Sequence, residues 1–546
     1  MRKSSFIEGT LIATLAIVFT KVLGIIYVIP FYAIVGTLGS ALYAYAYNIY
    51  VMFLDISTAG IPNAISKIVK EYDTLDKEEA KVRTIKLGVK IISALSIISF
   101  LILVIFAKQI AVLIIGDMTG GNTIVDIAFV IRCVSFAILI VPLLSILRGY
   151  LQGHKIISVS SSSQIIEQVL RVATILLGSY ILVKVFGLPI KYGVGIATFG
   201  AFVGALSSLI YVIYKCLKSK KQLSLDRKLP KDKTIKDKEI INKIIKYAIP
   251  MILVSVTVAI YDFVDMVLIS RFTHYFGYPA ATVEFVSTAI STWSKKILMI
   301  VTSIGTGLTV SLIPNMVEAY TLKDHKLLNN HFNKALELVL TVCCPMVLGI
   351  SILAGPIWTI FYGHNLVGAH ILTLNIFTAI MLNLFMVTNF TLQSINSFKT
   401  VYKSAIFGYL TNLILDVVFM NVLHIFDLPI YYGAIVASMC GYIVSITIAL
   451  KYLTKNYHFN YKETIDNFAK TMLPLVGLVI IAVLLNKLIV FNELSRLMMI
   501  LKVVIIALPI AIVYIFVLFK LKVMDTIFGK DFFIKIKNKL LRKLHK

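Results

Sequence analysis

The stretch FGLPIKYG, residues 186–193, recurs almost unchanged as FDLPIYYG at residues 426–433. Two further echoes keep the same order and nearly the same separation: YLQ at 150–152 with TLQ at 391–393, and GIPNAISKIVKEY from Gly60 with LIPNMVEAY from Leu312. Three ordered matches at nearly one offset indicate that the chain is built from two related halves.

Long apolar runs fill both halves. Of 546 residues, 59% are hydrophobic and 15% charged, and the mean hydropathy is +0.90. A helix that crosses a bilayer needs about 20 predominantly apolar residues, and the sequence predicts fourteen such spans, separated in places by short turns such as IVGTLGS at 34–40. We therefore expect an all-α membrane protein with fourteen transmembrane helices.

Each half holds six spans, so both enter the membrane in the same direction and form parallel repeats. The predicted organisation is an N-lobe of spans one to six at 1–217, a basic linker at 218–242, a C-lobe of spans seven to twelve at 243–455, spans thirteen and fourteen at 456–520, and a basic amphipathic tail at 521–546. Two similar lobes around a central cleft are typical of an alternating-access transporter, although duplication also builds static scaffolds.

The net charge of +26 is carried mainly by loops on one side of the predicted membrane. Because lysine and arginine are enriched in cytoplasmic loops, this asymmetry predicts that both termini are cytoplasmic. The basic linker and the tail are expected to attract anionic lipid headgroups, the tail as a helix on the inner leaflet, rather than to bind nucleic acid.

The sequence lacks the motifs of common enzymes. It contains no phosphate-binding loop, no H-E-x-x-H zinc motif and no G-x-S-x-G elbow. The five cysteines have no metal-ligand spacing and are expected to pack as small apolar residues. We expect no catalytic residue, metal or cofactor, with a monovalent ion or the membrane potential as the driving force.

Lys21 lies in the middle of the first span, in FTKVLGIIYVIPFY at 19–32. Roughly 22 Å of helix separates it from either end of the span, which is too far for its side chain to reach water. A lysine at the centre of a lipid-facing helix costs about 2.5–3.5 kcal/mol. We expect a wet or protein-lined interior here, with either a substrate anion or an ion pair with Asp55 or Asp265.

Other charged residues of the spans are candidates for the same interior. Lys295 and Lys296 lie in the outer half of span eight, where one of them can also mark the membrane interface. Asp262 and Asp265 share a face of span seven, with Arg271 at its outer end. The two acids need neutralising, which makes a cation of the first half a plausible partner for Asp265.

Two polar features look structural. Glu167 and Arg171 are four residues apart in SQIIEQVLRVA, a spacing that favours an ion pair within one helix. Asn48 is one of several asparagines in the spans, and such residues mostly form hydrogen bonds between helices.

The opening motifs, FTKVLGIIYVIPFY and YAYNIYVMFLDISTAGIPNAISKIVKEY, resemble the first two spans of lipid-linked oligosaccharide flippases. These belong to the multidrug/oligosaccharidyl-lipid/polysaccharide exporter superfamily, and the resemblance is greatest to its MurJ-type lipid II flippases and stage V sporulation protein B-like members. It extends over nearly the whole chain.

The resemblance implies a transporter of the bacterial plasma membrane that moves an undecaprenyl-diphosphate-linked precursor, such as lipid II, to the outer leaflet. The family's cavity cations, which meet the diphosphate, fall on Lys21 by motif and on Lys295 by spacing, with Lys296 adjacent. Two arginines of many relatives fall on Tyr27 and Asn48, so this cavity has fewer fixed cations. Anionic lipids and cell-wall synthesis proteins are the other expected partners.

Four alternatives stay open. The chain could move another lipid-linked polysaccharide unit, or export organic cations by cation coupling, in which case acids should line its cavity. A membrane glycosyltransferase or polymerase would need a sizeable outer loop with paired carboxylates, and the outer loops here are short and acid-poor. A static scaffold should tolerate loss of its buried lysines.

Overall fold

The computed structural model describes Ala16, residues 19–58, 60–75, 77–154, 156–219, 235–492 and 494–521, and Val523, and the regular elements in them are helical. The α-helices are α1 (Phe19–Thr58), α2 (Ile61–Thr74), α3 (Glu78–Ile105), α4 (Ala107–Ile115), α5 (Ile124–Gly153), α6 (Ile157–Ala173), α7 (Ile190–Lys218), α8 (Asp237–Tyr275), α9 (Ala280–Thr288), α10 (Ser294–Thr321), α11 (His325–Ile352), α12 (Ala354–Tyr362), α13 (Leu366–Asn375), α14 (Thr378–Ser394), α15 (Phe398–Ile425), α16 (Tyr432–Tyr457), α17 (Lys462–Leu488) and α18 (Arg496–Lys520). Three π-helical turns accompany them, at Thr174–Gly178, Ile181–Val185 and Ala289–Trp293. Most of the predicted basic linker and nearly all of the predicted amphipathic tail lie outside the described residues.

The all-α membrane fold is confirmed. Eleven helices of the described residues are long and apolar enough to cross a membrane, and α1 is counted among them as a single helix of 40 residues. Predicted spans one and two both fall on α1, span seven on α8 and span eight on the run from α9 to α10. The total of fourteen spans stays a prediction.

Helix α1 folds back on itself at Gly36. The hydroxyls of Tyr27 and Tyr43 are 3.4 Å apart, and the rings of Phe31 and Tyr43 are 5.1 Å apart, whereas sixteen residues of straight helix would separate their ends by about 24 Å. Gly36 has φ 67° and ψ −167°, a conformation essentially restricted to glycine. The turn predicted within IVGTLGS is therefore present at Gly36, and the division of α1 into two spans stays a prediction.

The chain divides into two compact units. Unit 1 comprises Met1–Trp293 and Asp416–Ala434, and unit 2 comprises Ser294–Leu415 and Ile435–Lys546. In unit 1 the central helix is α5, which packs against α1, α2, α3 and α7, while α6 packs on α7. In unit 2, α10 packs against α11 and α14, and α17 packs between α11 and α18.

Both ends of α8 form polar contacts with other helices of unit 1. At its start Lys243 pairs with Glu71 at 2.6 Å and Asp237 pairs with Arg83 at 3.3 Å. Burial is the largest single influence on the pKa of Lys243 and would lower it, but the hydrogen bonds and charges of Glu71 and Tyr72 together outweigh burial and raise that pKa. At the other end Arg271 binds two carbonyls of α4. The repeats predict α8 as the first span of the second half, a boundary that stays a prediction.

The two copies of the repeated octapeptide adopt matching turns. The second residue has a positive φ in each, 63° at Gly187 and 52° at Asp427. In each, the proline carbonyl accepts a hydrogen bond from the N–H three residues later, at 3.0 and 3.2 Å. Both copies join successive spans, α6 to α7 and α15 to α16. The repeat read from sequence therefore has a counterpart in backbone geometry.

Candidate functional site

Most of the predicted site residues lie in unit 1. Helices α1 and α8 carry seven of them: Lys21, Tyr27, Asn48, Asp55, Asp262, Asp265 and Arg271. Lys295 and Lys296 lie in unit 2, where they occupy the first turn of α10 and are half-buried. The residue before them, Ser294, accepts a hydrogen bond of 2.6 Å from the amide of Asn375.

Lys21 is half-buried in the first half of α1. Six residues later the helix is interrupted at Tyr27, which is 6% exposed and whose hydroxyl lies 3.4 Å from that of Tyr43. Tyr27 occupies a position that the resemblance assigns to an arginine in many relatives. Here it contributes a hydroxyl within α1 instead of a charge.

A row of tyrosines follows on the second half of α1. Tyr43, Tyr47 and Tyr50 repeat every three or four residues and therefore share one face of the helix. The rings of Tyr43 and Tyr47 stack at 5.5 Å, and that of Tyr50 is 5.9 Å from Tyr47. The guanidinium of Arg171 on α6 interacts electrostatically with all three. This row was not predicted from the sequence, although its spacing is visible there.

Arg171 belongs to a partly buried ionic cluster. Its Nη2 lies 2.9 Å from Oε1 of Glu167, which confirms the predicted intrahelical pair. The other carboxylate oxygen lies 2.9 Å from Nη1 of Arg148 on α5, a partner that was not predicted. Arg148 also donates to the hydroxyls of Ser163 and Ser208, at 2.7 and 3.0 Å. Two guanidiniums share one carboxylate, so this cluster carries one surplus positive charge.

Two glycines of α7 allow α6 to pack closely against α7, which positions the ionic cluster. A Cβ at Gly204 would lie 2.4 Å from the carbonyl of Glu167 and 3.1 Å from the Cβ of Arg171, and a Cβ at Gly200 would lie 3.1 Å from the carbonyl of Arg171. Small residues four apart allow two membrane helices to approach closely. The sequence signal for this close approach is the glycine spacing in GVGIATFGAFVG, residues 193–204.

Asn48 holds a π-helical turn. Its amide donates to the hydroxyls of Ser291 and Thr292, at 3.2 and 3.0 Å, and contacts the sulfur of Met266. Both hydroxyls belong to the turn Ala289–Trp293, and Asn48 is 7% exposed. The predicted role of buried asparagines as links between helices is thus seen here. Isolated π turns occur frequently at functional sites.

The acids of α8 face other acids. The side chain of Asp265 is hydrogen-bonded to that of Asp416 on α15, and the two residues are 2% and 0% exposed. Two carboxyl groups can share a hydrogen bond only if one of them is protonated. Asp262 interacts electrostatically with Asp55 on α1. The plausible cation partner of Asp265 stays a prediction, and the carboxyl partner Asp416 was not predicted.

Arg271 covers the C-terminal end of α4. Its Nε donates to the carbonyl of Leu113 at 2.9 Å and its Nη2 to that of Val112 at 2.5 Å. These carbonyls lie at the negative end of the helix dipole, where a cation is stabilising. A Cβ at Gly116 would lie 1.7 Å from the guanidinium, so the contact requires glycine there. The predicted substrate contact of Arg271 stays a prediction.

The metal-ligating residue types are not grouped. Among the described residues no group of three or more His, Cys, Asp or Glu side chains can hold a metal ion. The five cysteines are free: Cys216, Cys343 and Cys344 are buried, and Cys133 and Cys440 are partly buried. They occupy the packing positions expected for small apolar residues.

A family model described as polysaccharide biosynthesis protein matches residues 6–319. This chain belongs to that family. This chain is 32% identical over 479 residues to the lipid II flippase MurJ of Bacillus subtilis (strain 168), and the aligned region covers 87% of this chain and 86% of that protein. Stage V sporulation protein B of the same organism is 27% identical over 225 residues, 41% of each chain. The resemblance read from the opening motifs is confirmed.

Solved structures show the same fold. The lipid II flippase MurJ in an inward closed conformation superposes with a TM-score of 0.64 at 19% identity, covering 92% of this chain and 98% of that one. An inward-facing multidrug resistance MATE transporter of the MOP superfamily gives 0.63 at 15% identity, covering 80% and 94%. This member of the polysaccharide biosynthesis family is a multi-pass bacterial membrane protein with a transporter fold.

Proposed function

We propose that the chain is a flippase that moves lipid II, or a close undecaprenyl-diphosphate-linked analogue, from the inner to the outer leaflet for peptidoglycan synthesis. The observation that carries this proposal is the 32% identity to the lipid II flippase MurJ over 87% of the chain. The buried cations of unit 1 support it, because a diphosphate needs positive partners to cross a layer that excludes anions.

Lys21 and Lys295 are the proposed contacts of the diphosphate, with Lys296 adjacent. One charge pair at 4 Å contributes about 4 kcal/mol at an effective dielectric near 20, before desolvation. A lysine is a flexible point charge, which suits binding followed by release better than a bidentate clamp. Tyr27 and Asn48 are proposed to border the same substrate with neutral polar groups.

The acids of unit 1 are the proposed place of energy coupling. The shared hydrogen bond of Asp265 and Asp416 already requires a proton, and a monovalent cation is the other species that can neutralise a buried carboxyl pair. Asp55 and Asp262 form a second pair of like charges. We propose that exchange of a proton or monovalent ion at these acids, or the membrane potential acting on them, drives the cycle without a further cofactor.

The basic loops support the proposed orientation, in which both termini are cytoplasmic. Anionic lipids are then the partners of the cytoplasmic surface, and proteins of cell-wall synthesis supply and use the substrate. No catalytic step is part of this cycle, since translocation makes or breaks no covalent bond.

The four acids of unit 1 also favour a second function, cation-coupled export of organic cations. Such an exporter binds its substrate to carboxylates, so replacing Lys21 should not impair it. A flippase that uses Lys21 as an anion contact should lose activity with Lys21→Ala. The two functions thus predict opposite outcomes for one variant.

The deciding experiment is reconstitution of the full chain in liposomes with fluorescent lipid II. We expect protein-dependent movement of lipid II between leaflets, and a loss of at least about tenfold with Lys21→Ala because a charge-assisted contact is removed. Lys455→Ala, which removes an exposed lysine at the end of α16, is the control and should retain the wild-type rate.

Equal rates in vesicles with and without the protein would contradict the proposed function. Movement of lipid II by wild type that Lys21→Ala leaves unchanged would retain the flippase and remove Lys21 from its mechanism. Ethidium export by Lys21→Ala vesicles without lipid II movement would select the second function.

A further inference from the structure

The cluster around Arg171 has more donors than acceptors. Arg148 uses Nη1, Nη2 and Nε for Glu167, Ser208 and Ser163. Arg171 uses only Nη2, for Glu167. Its Nε is buried and has no hydrogen-bond partner among the described residues. The surplus charge of the cluster is therefore carried by the arginine with unused donors.

Tyr50 adds a second unused donor beside the first. The residue is 1% exposed, and its hydroxyl has no partner within the described part of the chain. The hydroxyl lies within electrostatic range of Arg171 and Glu167. A buried hydroxyl without a partner is costly, and such groups are few in native proteins. Two unused donors at one place indicate an acceptor that binds there.

The side chains of the Arg171 cluster are partly exposed. Arg171 is 20% exposed and Glu167 is 13% exposed, and Tyr47 beside them is half-buried. A surplus charge in a membrane span faces the protein interior or a water-filled cavity rather than lipid. Gly200 and Gly204 hold α6 against α7, and Arg171 lies near Tyr43, Tyr47 and Tyr50 of α1. Its 20% exposure leaves part of the side chain accessible to a ligand.

We propose that Arg171 and the hydroxyl of Tyr50 form a second anion-binding site in unit 1, which takes the diphosphate of a lipid-linked headgroup. The proposal rests on the proposed flippase function and adds to it a contact on α6, in addition to the proposed lysine contact on α1. A guanidinium offers a planar pair of donors that matches phosphate oxygens, and a tyrosine hydroxyl donates a further hydrogen bond.

Equilibrium binding of radiolabelled farnesyl diphosphate to the full chain in nanodiscs tests the site. Arg171→Gln should weaken binding by at least about tenfold, since a charge-assisted hydrogen bond is lost. It leaves Arg148 and Glu167 as a neutral pair, so the fold should persist. Farnesol, which has the same tail without phosphate, should bind wild type and variant equally.

Tyr50→Phe separates binding from stability. The variant should weaken the binding of farnesyl diphosphate by about two- to tenfold, as expected for the loss of one neutral hydrogen bond. It should keep or raise the thermal stability of the ligand-free protein, because it removes a buried hydroxyl that has no partner. Tyr45→Phe is the matched control: Tyr45 is 0% exposed on the same helix, and its hydroxyl likewise has no hydrogen-bond partner among the described residues, but it lies near Glu284, Ser270 and Ser287 rather than near Arg171. It should leave binding unchanged.

The outcomes distinguish the site from the function. If wild type binds farnesyl diphosphate and both Arg171→Gln and Tyr50→Phe retain its affinity, the site is overturned while the flippase stands. If Tyr45→Phe or farnesol shows the same loss, the effect is not specific to the anion, and the site is again overturned. Absence of farnesyl diphosphate binding by wild type would contradict the proposed function itself.

Discussion

Two buried ionic clusters of unit 1 differ in sign and in construction. The cluster of Arg148, Glu167 and Arg171 has two cations for one anion, and serine hydroxyls satisfy one of the cations. The pair of Asp265 and Asp416 has two acids joined by one hydrogen bond. The first holds its charge permanently, because arginine does not lose its proton in proteins. The second changes its charge whenever a proton leaves.

This difference suits the arginine cluster and the carboxyl pair to different functions. A fixed cation suits recognition of an anion, since its charge is the same throughout a transport cycle. A carboxyl pair that exchanges a proton suits coupling, since its charge can differ between two states of the protein. The comparison therefore predicts that variants of the arginine cluster change substrate affinity, whereas variants of the acid pair change the dependence on driving ions.

The largest effect is expected from Glu167→Ala. It leaves Arg148 and Arg171 buried together without a counter-charge, and removing one partner of a buried ion pair costs about 3–5 kcal/mol. Thermal unfolding of the purified protein in detergent measures the loss. Arg171→Gln is the control, since it keeps a one-to-one pair and should cost much less. Equal losses in both variants would mean that the cluster has no surplus charge.

Replacement of Asp416 should have an intermediate effect that depends on the substituent. Asp416→Ala leaves the buried carboxyl of Asp265 without its partner, at a cost of about 1–3 kcal/mol. Asp416→Asn keeps a hydrogen-bonding amide of the same shape and should retain most of the stability. In liposomes, Asp416→Asn should bind substrate but lose the response of transport to a pH or sodium gradient. An unaltered gradient response would remove the acid pair from coupling.

Local spacing explains which parts of the site were predictable. The pair of Glu167 and Arg171 follows from helical periodicity, and the turn at Gly36 follows from a glycine between two apolar runs; both are present. Arg148 and Asp416 were not predicted as partners because they lie on other helices, and only packing brings α5 to α6 and α15 to α8. The repeat was readable because both copies require the same turn.

The signs of the buried charges could be predicted from the sequence, but their partners could not. Burial of cations and acids in the spans follows from composition, whereas the sequence did not indicate that Asp416 lies beside Asp265. A cation of the first half as partner of Asp265 stays a prediction. A carboxyl pair is stable only through a shared proton or a bound cation, neither of which a sequence displays. The surplus charge at Arg171 was likewise hidden, since it depends on Arg148 sharing the same carboxylate.

The smallest effect is expected from Ser208→Ala, and it tests how the fixed cation is held. Ser208 is 0% exposed, accepts a hydrogen bond of 3.0 Å from Arg148 and donates one of 2.8 Å to the carbonyl of Ser163. Loss of these bonds should lower the free energy of unfolding by about 1–2 kcal/mol. Ser207→Ala is the adjacent control, because Ser207 bonds only to the carbonyl of Val203 on its own helix. A loss with Ser207→Ala as large as with Ser208→Ala would show that Ser208 does not anchor Arg148, and that Glu167 and Ser163 hold the guanidinium without it.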